Sequence, residues 1–207
     1  FFSGATRVTL DDILNDPELD AVAIETTEAN LTKYARLALE RGLHVHMDKP
    51  GSADHAAFTE MVRLAEKKNL VFHVGYMYRY NFALQKCIKM IKSGELGEIY
   101  QIDAEMSTYH SKEYRQWLKH FKGGAMFIFG SHLVDLIVSI LGEPKNVYPF
   151  IKQTGFEGVY SDDNNFAVLE YERAIAKITT LSVEVNGWGM RRFAVMGSKG
   201  TVEIKPI

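Results

Sequence analysis

Apolar residues in the first third of the chain fall in short runs separated by stretches of helical spacing. Ala21-Val22-Ala23-Ile24 is a compact apolar run behind the turn-forming Asn15-Asp16-Pro17, the pattern of a strand buried on both faces. Leu31, Tyr34, Ala35 and Ala38 then recur on one helical stripe, with Gly42 just past its end. Residues 43–47 predict a second strand. Ser52 or Asp54 is placed to cap a helix carrying Ala57, Met61, Leu64 and Ala65, and residues 70–74 predict a third strand stopped at Gly75. Strand-helix-strand-helix-strand implies parallel pairing through right-handed crossovers, with ligands at the carboxyl ends of the strands. Those ends are Glu25-Thr26-Thr27, Asp48-Lys49-Pro50 and Gly75-Tyr76-Met77-Tyr78-Arg79.

Beyond about residue 95 the pattern changes. Residues 99–106 alternate like a strand, and 107–122 are polar and aromatic. Residues 130–141 have helical spacing, and 147–151, 166–171, 175–185, 192–196 and 201–204 read as successive strands. Gly197-Ser198-Lys199-Gly200 is a hairpin loop between the last two. Strands in succession without helices between them indicate antiparallel pairing. The expected fold is α/β: a parallel Rossmann-type sheet, incomplete at its N-terminus, over 1–80, then an α+β domain with a large, mostly antiparallel sheet over 81–207.

Composition narrows the partners. The 207 residues carry a formal charge of −2, so no basic surface argues for nucleic acid or an anionic membrane. The densest basic runs, Lys67-Lys68 and Arg191-Arg192, read as solvated surface. A lone cysteine, Cys87, excludes an internal disulfide and fits a reducing, cytoplasmic setting; its apolar neighbours imply a buried, inert thiol. No stretch is long enough to span a bilayer and no signal peptide is visible. The abrupt start at Phe1 and the end directly after a strand lead us to expect a fragment of a longer chain.

Two stretches carry candidate chemistry. Lys49 follows a strand, and Pro50 biases it toward extended backbone. Partial burial and the positive end of the next helix would favour a neutral amine able to move a proton; a surface lysine paired with Asp48 is the equal alternative. On the 130–141 helix, Leu133, Leu136, Ile137, Ile140 and Leu141 form the apolar face, and His132, Asp135 and Ser139 lie on another. Asp135 could orient the imidazole as acid or base, or simply satisfy a partly buried histidine. The position one turn before His132 is Ile128, which adds no polar group. His44 and His46 share a strand face, but no third ligand stands at a telling spacing, so no metal is expected. Tyr109-His110, Tyr114-Arg115 and Trp117 read equally as a sugar pocket or as an amphipathic surface segment. No Gly-x-Ser-x-Gly elbow and no Gly-x-Gly-x-x-Gly loop is present.

Taken in order, these segments resemble the glucose-fructose oxidoreductase / inositol dehydrogenase (Gfo/Idh/MocA) family. Asp20-Ala21-Val22-Ala23-Ile24-Glu25-Thr26 is similar to its Asp-x-Val-x-Ile-x-Thr strand, and residues 38–50 to its Ala-Leu-x-x-Gly-Lys-His-Val-x-x-Glu-Lys-Pro signature. Gly75-Tyr76-Met77-Tyr78-Arg79-Tyr80 resembles Gly-Phe-x-x-Arg-Phe, Gly130-Ser131-His132-Leu133-Val134-Asp135 resembles Gly-x-His-x-x-Asp, and residues 192–201 resemble the late Gly-Thr-Lys-Gly-Thr hairpin. The resemblance implies NAD or NADP as cofactor and hydride transfer to or from a hydroxyl of a sugar, polyol or inositol. It implies Lys49 and His132 as catalytic residues, with Glu25, Thr26, Thr27, Asp48, Lys49, Pro50 and Arg79 toward the cofactor. Tyr78, Asp135, Tyr114 and Trp117 would stand toward the substrate, and the C-terminal sheet would build a homodimer or homotetramer. Three positions depart from the pattern: Thr27 replaces proline, Asp48 replaces glutamate, and Ile128 stands where the family has its catalytic aspartate. Two alternatives follow: a carbohydrate-binding or structural relative without catalysis, and an enzyme using bound NAD for transient oxidation during elimination or glycoside cleavage.

Overall fold

The computed structural model describes residues 4–207, and Phe1, Phe2 and Ser3 lie outside the described residues. The chain divides into two compact units, one ending at Gly75 and the other spanning Tyr76–Ile207. The boundary drawn at residue 80 from sequence falls at the end of a 3-10 turn, Met77–Tyr80, which belongs to the second unit.

The first unit contains α1 (Leu10–Asn15), β1 (Ala21–Ile24), α2 (Leu31–Arg41), β2 (His44–Met47), α3 (His55–Lys68) and β3 (Phe72–Val74). The strands pair parallel in the order β1-β2-β3, with Val22 opposite Val45 and Val45 opposite Phe72. α2 lays Leu31, Ala35, Ala38 and Leu39 against Val45 and Met47, and α3 adds Met61 and Ala65. Each large apolar side chain taken fully out of water contributes about 1.5–3 kcal/mol, so this stripe, not propensity, holds the helices in place. Local devices set the ends. Gly42 (φ 94°) closes α2 with its N–H on Ala38 and Leu39 carbonyls, and the Asp54 carboxylate accepts from Ala56 and Ala57 N–H to start α3. β3 is shorter than expected: Leu70 N–H still bonds the Ala65 carbonyl, and Val71 N–H donates to His44 Nδ1 at 2.8 Å. α1 was not anticipated from periodicity, yet its signal is a Thr9/Asp12 capping box.

The second unit contains α4 (Phe82–Lys92), β4 (Ile99–Glu105), α5 (Lys112–Leu118), α6 (Ser131–Leu141), β5 (Asn146–Lys152), β6 (Asn164–Glu170), β7 (Ile175–Leu181), α7 (Gly187–Met190), β8 (Arg192–Gly197) and β9 (Thr201–Ile204). Its sheet runs β5-β6-β7-β4-β8-β9. All neighbours are antiparallel except β4 and β7, which pair parallel, because two helices intervene after β4 before the meander begins. Mostly antiparallel is therefore right, and uniformly antiparallel is not. One sheet face presents Ile102, Ile178, Phe193 and Val195 to Leu84, Cys87, Leu133 and Ile137 of α4 and α6. Cys87 is buried as expected, and burial pushes its thiol pKa up, away from a reactive thiolate. On the opposite face Asp103 accepts from Lys177 (2.9 Å) and lies 3.6 Å from Arg192, while Tyr148, Phe150 and Ile175 stay exposed.

Candidate functional site

The carboxyl ends of the parallel strands deliver Glu25-Thr26-Thr27 and Asp48-Lys49-Pro50 into loops. Backbone bonds hold them there: Asp48 N–H donates to Ile24 O (3.1 Å) and Gly75 N–H to Met47 O (2.8 Å), extending the ladder one step past β2. The Asn30 amide donates to Thr27 Oγ1 at 2.9 Å, bracing the first loop. Lys49 is half-buried and its peptide to Pro50 is cis. Burial holds the Lys49 ammonium below its ordinary pKa, while Asp48, Glu28 and Glu25 pull the other way. Residues 51–54 stand between Pro50 and the first residue of α3. Two carboxylates, two threonine hydroxyls and a lysine are a donor and acceptor set suited to ribose hydroxyls and a carboxamide. The chemistry of these ends therefore fits a nicotinamide nucleotide.

In the second unit, His132 starts α6 and is buried. The edges of Tyr76 and Tyr78 meet its ring at centroid distances of 5.8 and 5.0 Å. Both Asp135 oxygens are taken by the Arg79 guanidinium, at 2.7 and 2.6 Å, in a bidentate pair. Ser139 donates to the Leu136 carbonyl instead of joining a polar face. Ile128 is buried with Leu118 and Ala125 on a π-helical turn, Met126–Gly130, that runs directly into α6. A Cβ at Gly130 would overlap the Met126 thioether, so any larger residue there displaces that flexible side chain.

The aromatic stretch is amphipathic: Lys112, Glu113 and Gln116 are exposed, Tyr114 and Trp117 half-buried, and Arg115 and Leu118 buried. His110 stacks on Tyr114 (4.2 Å) and Phe129 (4.9 Å), and Trp117 contacts Tyr114 and Phe121. Arg115 is fully buried, donating to His110 O at 3.3 Å, Phe156 O at 2.8 Å and the Glu157 carboxylate. That pin holds the β5–β6 loop, where Glu157 adopts φ 53°. The reading of Arg191-Arg192 as solvated surface fails for its first member. Arg191 is buried, donates to Ser107 O and Thr108 Oγ1, and lies 3.7 Å from the Trp188 ring centroid. Its hydroxyl and carbonyl partners lie more than 80 positions away in sequence, which is why residue pairing gave no hint.

Tyr76 stands at a strand end that the sequence marks for ligands, but the sequence assigns it no role of its own. Sequence reasoning passed over Asn165 and Lys122, which no local pattern marks. Among the described residues, no group of three or more His, Cys, Asp or Glu side chains is placed to hold a metal, and no helix is long and apolar enough to cross a membrane.

Comparison with known proteins agrees with this geometry. Residues 2–76 match the oxidoreductase family model with an NAD-binding Rossmann fold, and residues 84–203 match the GFO/IDH/MocA C-terminal domain. The uncharacterized oxidoreductase YhhX of Escherichia coli is 31% identical over 195 residues, covering 93% of this chain and 54% of that protein. The scyllo-inositol 2-dehydrogenase (NADP(+)) IolW of Bacillus subtilis is 26% identical over 141 residues, covering 67% of this chain and 39% of that protein. The WlbA dehydrogenase of Bordetella pertussis, crystallised with NADH and UDP-GlcNAcA, shares the fold at a TM-score of 0.83 and 24% identity, over 95% of this chain and 58% of that one. The chain thus spans about half the length of the curated relatives it matches, 54% for YhhX.

Proposed function

Given that the chain belongs to the Gfo/Idh/MocA family of oxidoreductases, we propose that it serves an NAD- or NADP-dependent oxidation or reduction of a hydroxyl or keto group on a sugar, polyol or inositol-like molecule. The observation that carries this reading is Lys49, held at the carboxyl edge of a parallel sheet with its pKa lowered by burial. A lysine so placed has a neutral amine available at lower pH than an exposed one, and accepts the hydroxyl proton as the carbon is oxidised. His132, fixed between two tyrosine edges, holds a substrate oxygen through its imidazole. Glu25, Thr26, Thr27 and Asp48 hold ribose hydroxyls, with Pro50 setting the loop. The bound nicotinamide supplies the two-electron chemistry.

Arg79 and Asp135 brace one another and act on substrate or cofactor through that pair. Tyr78, Tyr114 and Trp117 shape the wall near the imidazole. We further assign the open sheet face, with exposed Tyr148, Phe150 and Ile175, to a homodimer or homotetramer contact, and the protein to the cytoplasm. One observation favours a second reading, a ligand-binding relative without turnover: buried Ile128 offers no carboxylate beside His132.

Titration with NADH and NADPH, followed by nicotinamide fluorescence, and turnover assays on inositols and aldoses test both readings. The expected result is saturable nucleotide binding, and a Lys49→Met variant that keeps this binding while kcat falls by about 10²–10⁴-fold. Full turnover in Lys49→Met would remove the lysine from the mechanism; binding with no turnover in any variant would favour the second reading.

A further inference from the structure

The second unit holds a cleft of about 570 Å³ on the flank of α6 away from the sheet-packed face. Its walls are largely carbon: Met126 and Phe127 from the π-helical turn, Val134 and Val138 from α6, and Ile151 and Phe166 from the sheet. Polar side chains interrupt this lining at Tyr76, Ser131, Ser139 and the Arg79–Asp135 pair, and two further ones, Asn165 and Lys122, point to a ligand. Asn165 is fully buried and lines the cleft; its amide nitrogen donates to Asp162 O (3.0 Å) and toward Thr180 Oγ1 (3.4 Å), which fixes the amide's orientation. Its Oδ1 has no hydrogen-bond partner among the described residues. A buried acceptor left in that state is costly unless a ligand donor meets it. The second feature is Lys122, which brings an ammonium to the exposed rim, where Arg79 is already neutralised by Asp135.

We propose that this cleft is a binding site for a small molecule combining an apolar ring or chain, a hydroxyl or N–H donor for Asn165, and an acidic group for Lys122. It adjoins His132 through Tyr76, which both lines the cleft and contacts the imidazole, but it does not depend on catalysis. The cleft shares Tyr76 and the Arg79–Asp135 pair with the site described above and extends it along α6 to Asn165 and Lys122, which that reading does not use.

The probe is 1-anilinonaphthalene-8-sulfonate, which carries an aromatic body, one N–H and a sulfonate. It is titrated by fluorescence into the full chain without nucleotide, so failure here is separable from failure of the dehydrogenase reading. Saturable binding with one site per chain is expected. Lys122→Ala, at an exposed position, weakens it about tenfold, and Val138→Trp, which fills the cleft, abolishes it while the thermal midpoint holds. No saturable binding, or binding unchanged in both variants, overturns the proposal. So does a change of oligomeric state in Val138→Trp by analytical ultracentrifugation, which would assign the cleft to a second copy of the chain.

Discussion

The two units place their chemistry by different physical means. In the first, Glu25, Thr26, Asp48 and Lys49 stand where the backbone ladder of a parallel sheet runs out, and short-range devices finish the job: the Asp54 cap, the Gly42 helix end and the Thr27–Asn30 bond. In the second, His132, Arg115 and Arg191 stand where they do because partners from distant segments meet them: Tyr76 and Tyr78 for His132, Phe156 and Glu157 for Arg115, Ser107 and Thr108 for Arg191. A site built on strand ends tolerates change in its surroundings. A site built on long-range pins fails when any pin is drawn.

The largest expected break is Arg115→Ala. It strands the His110 and Phe156 carbonyls and frees a loop held at a positive-φ residue, and is expected to cost about 3 kcal/mol. Both tryptophans, Trp117 and Trp188, belong to the second unit, so fluorescence-detected denaturation reads that unit directly. An unchanged midpoint would sink the idea that the buried guanidinium is a pin.

The next sharpens the comparison by pH. Burial holds cationic groups below their ordinary pKa in both units, Lys49 in the first, and His110 and Arg191 in the second. His110 falls from 6.5 to about 4, first through burial and then through Arg191 and Arg115. Between those values the unfolded chain takes up a proton and the native state does not. Stability therefore falls as pH drops from 6.5 toward about 4 and is flat, for this group, below that. Allowing for solvent screening of a partly exposed ring, the loss is about 2 kcal/mol. His110→Phe should remove that slope; denaturation midpoints at pH 7, 5 and 4 that fall equally in both proteins would refute it. Lys49 has the same sign in a higher window, its contribution rising as pH climbs toward 10.5.

The smallest effect lies in the first unit. Asp54→Ala removes one helix cap and should cost about 1 kcal/mol, read as a shift in circular-dichroism melting. Asp54→Ser should restore most of it. A loss equal to that of Arg115→Ala would erase the contrast between locally and remotely built units.

What could be read in the sequence divides along the same line. β1, β2, α2 and α3 follow from apolar period and cap residues, and the Lys49 loop follows from where a strand must stop. The β8–β9 hairpin and the apolar face of α6 were equally legible, since turn chemistry and helical spacing are local. The short α1 was missed because its capping box stands before too few periodic residues to register. Spacing along α6 puts Asp135 near His132, whereas the partner that takes both its oxygens in the fold is Arg79, 56 positions away. A short basic run such as Arg191-Arg192 reads as solvated surface, and the burial of Arg191 comes from Ser107 and Thr108, far off in sequence.

By itself the sequence determined the parallel unit, the position of its acid and lysine, and membership of a nucleotide-binding oxidoreductase family, because backbone pairing and short motifs express themselves within a few residues. Only the tertiary structure decided the parallel insertion of β4 beside β7, the burial of Arg115 and Arg191, the pairing of Asp135 with Arg79, and the cleft beside Asn165. Each of these depends on desolvation and on partners brought together across the chain, and neither is encoded in the spacing of neighbours.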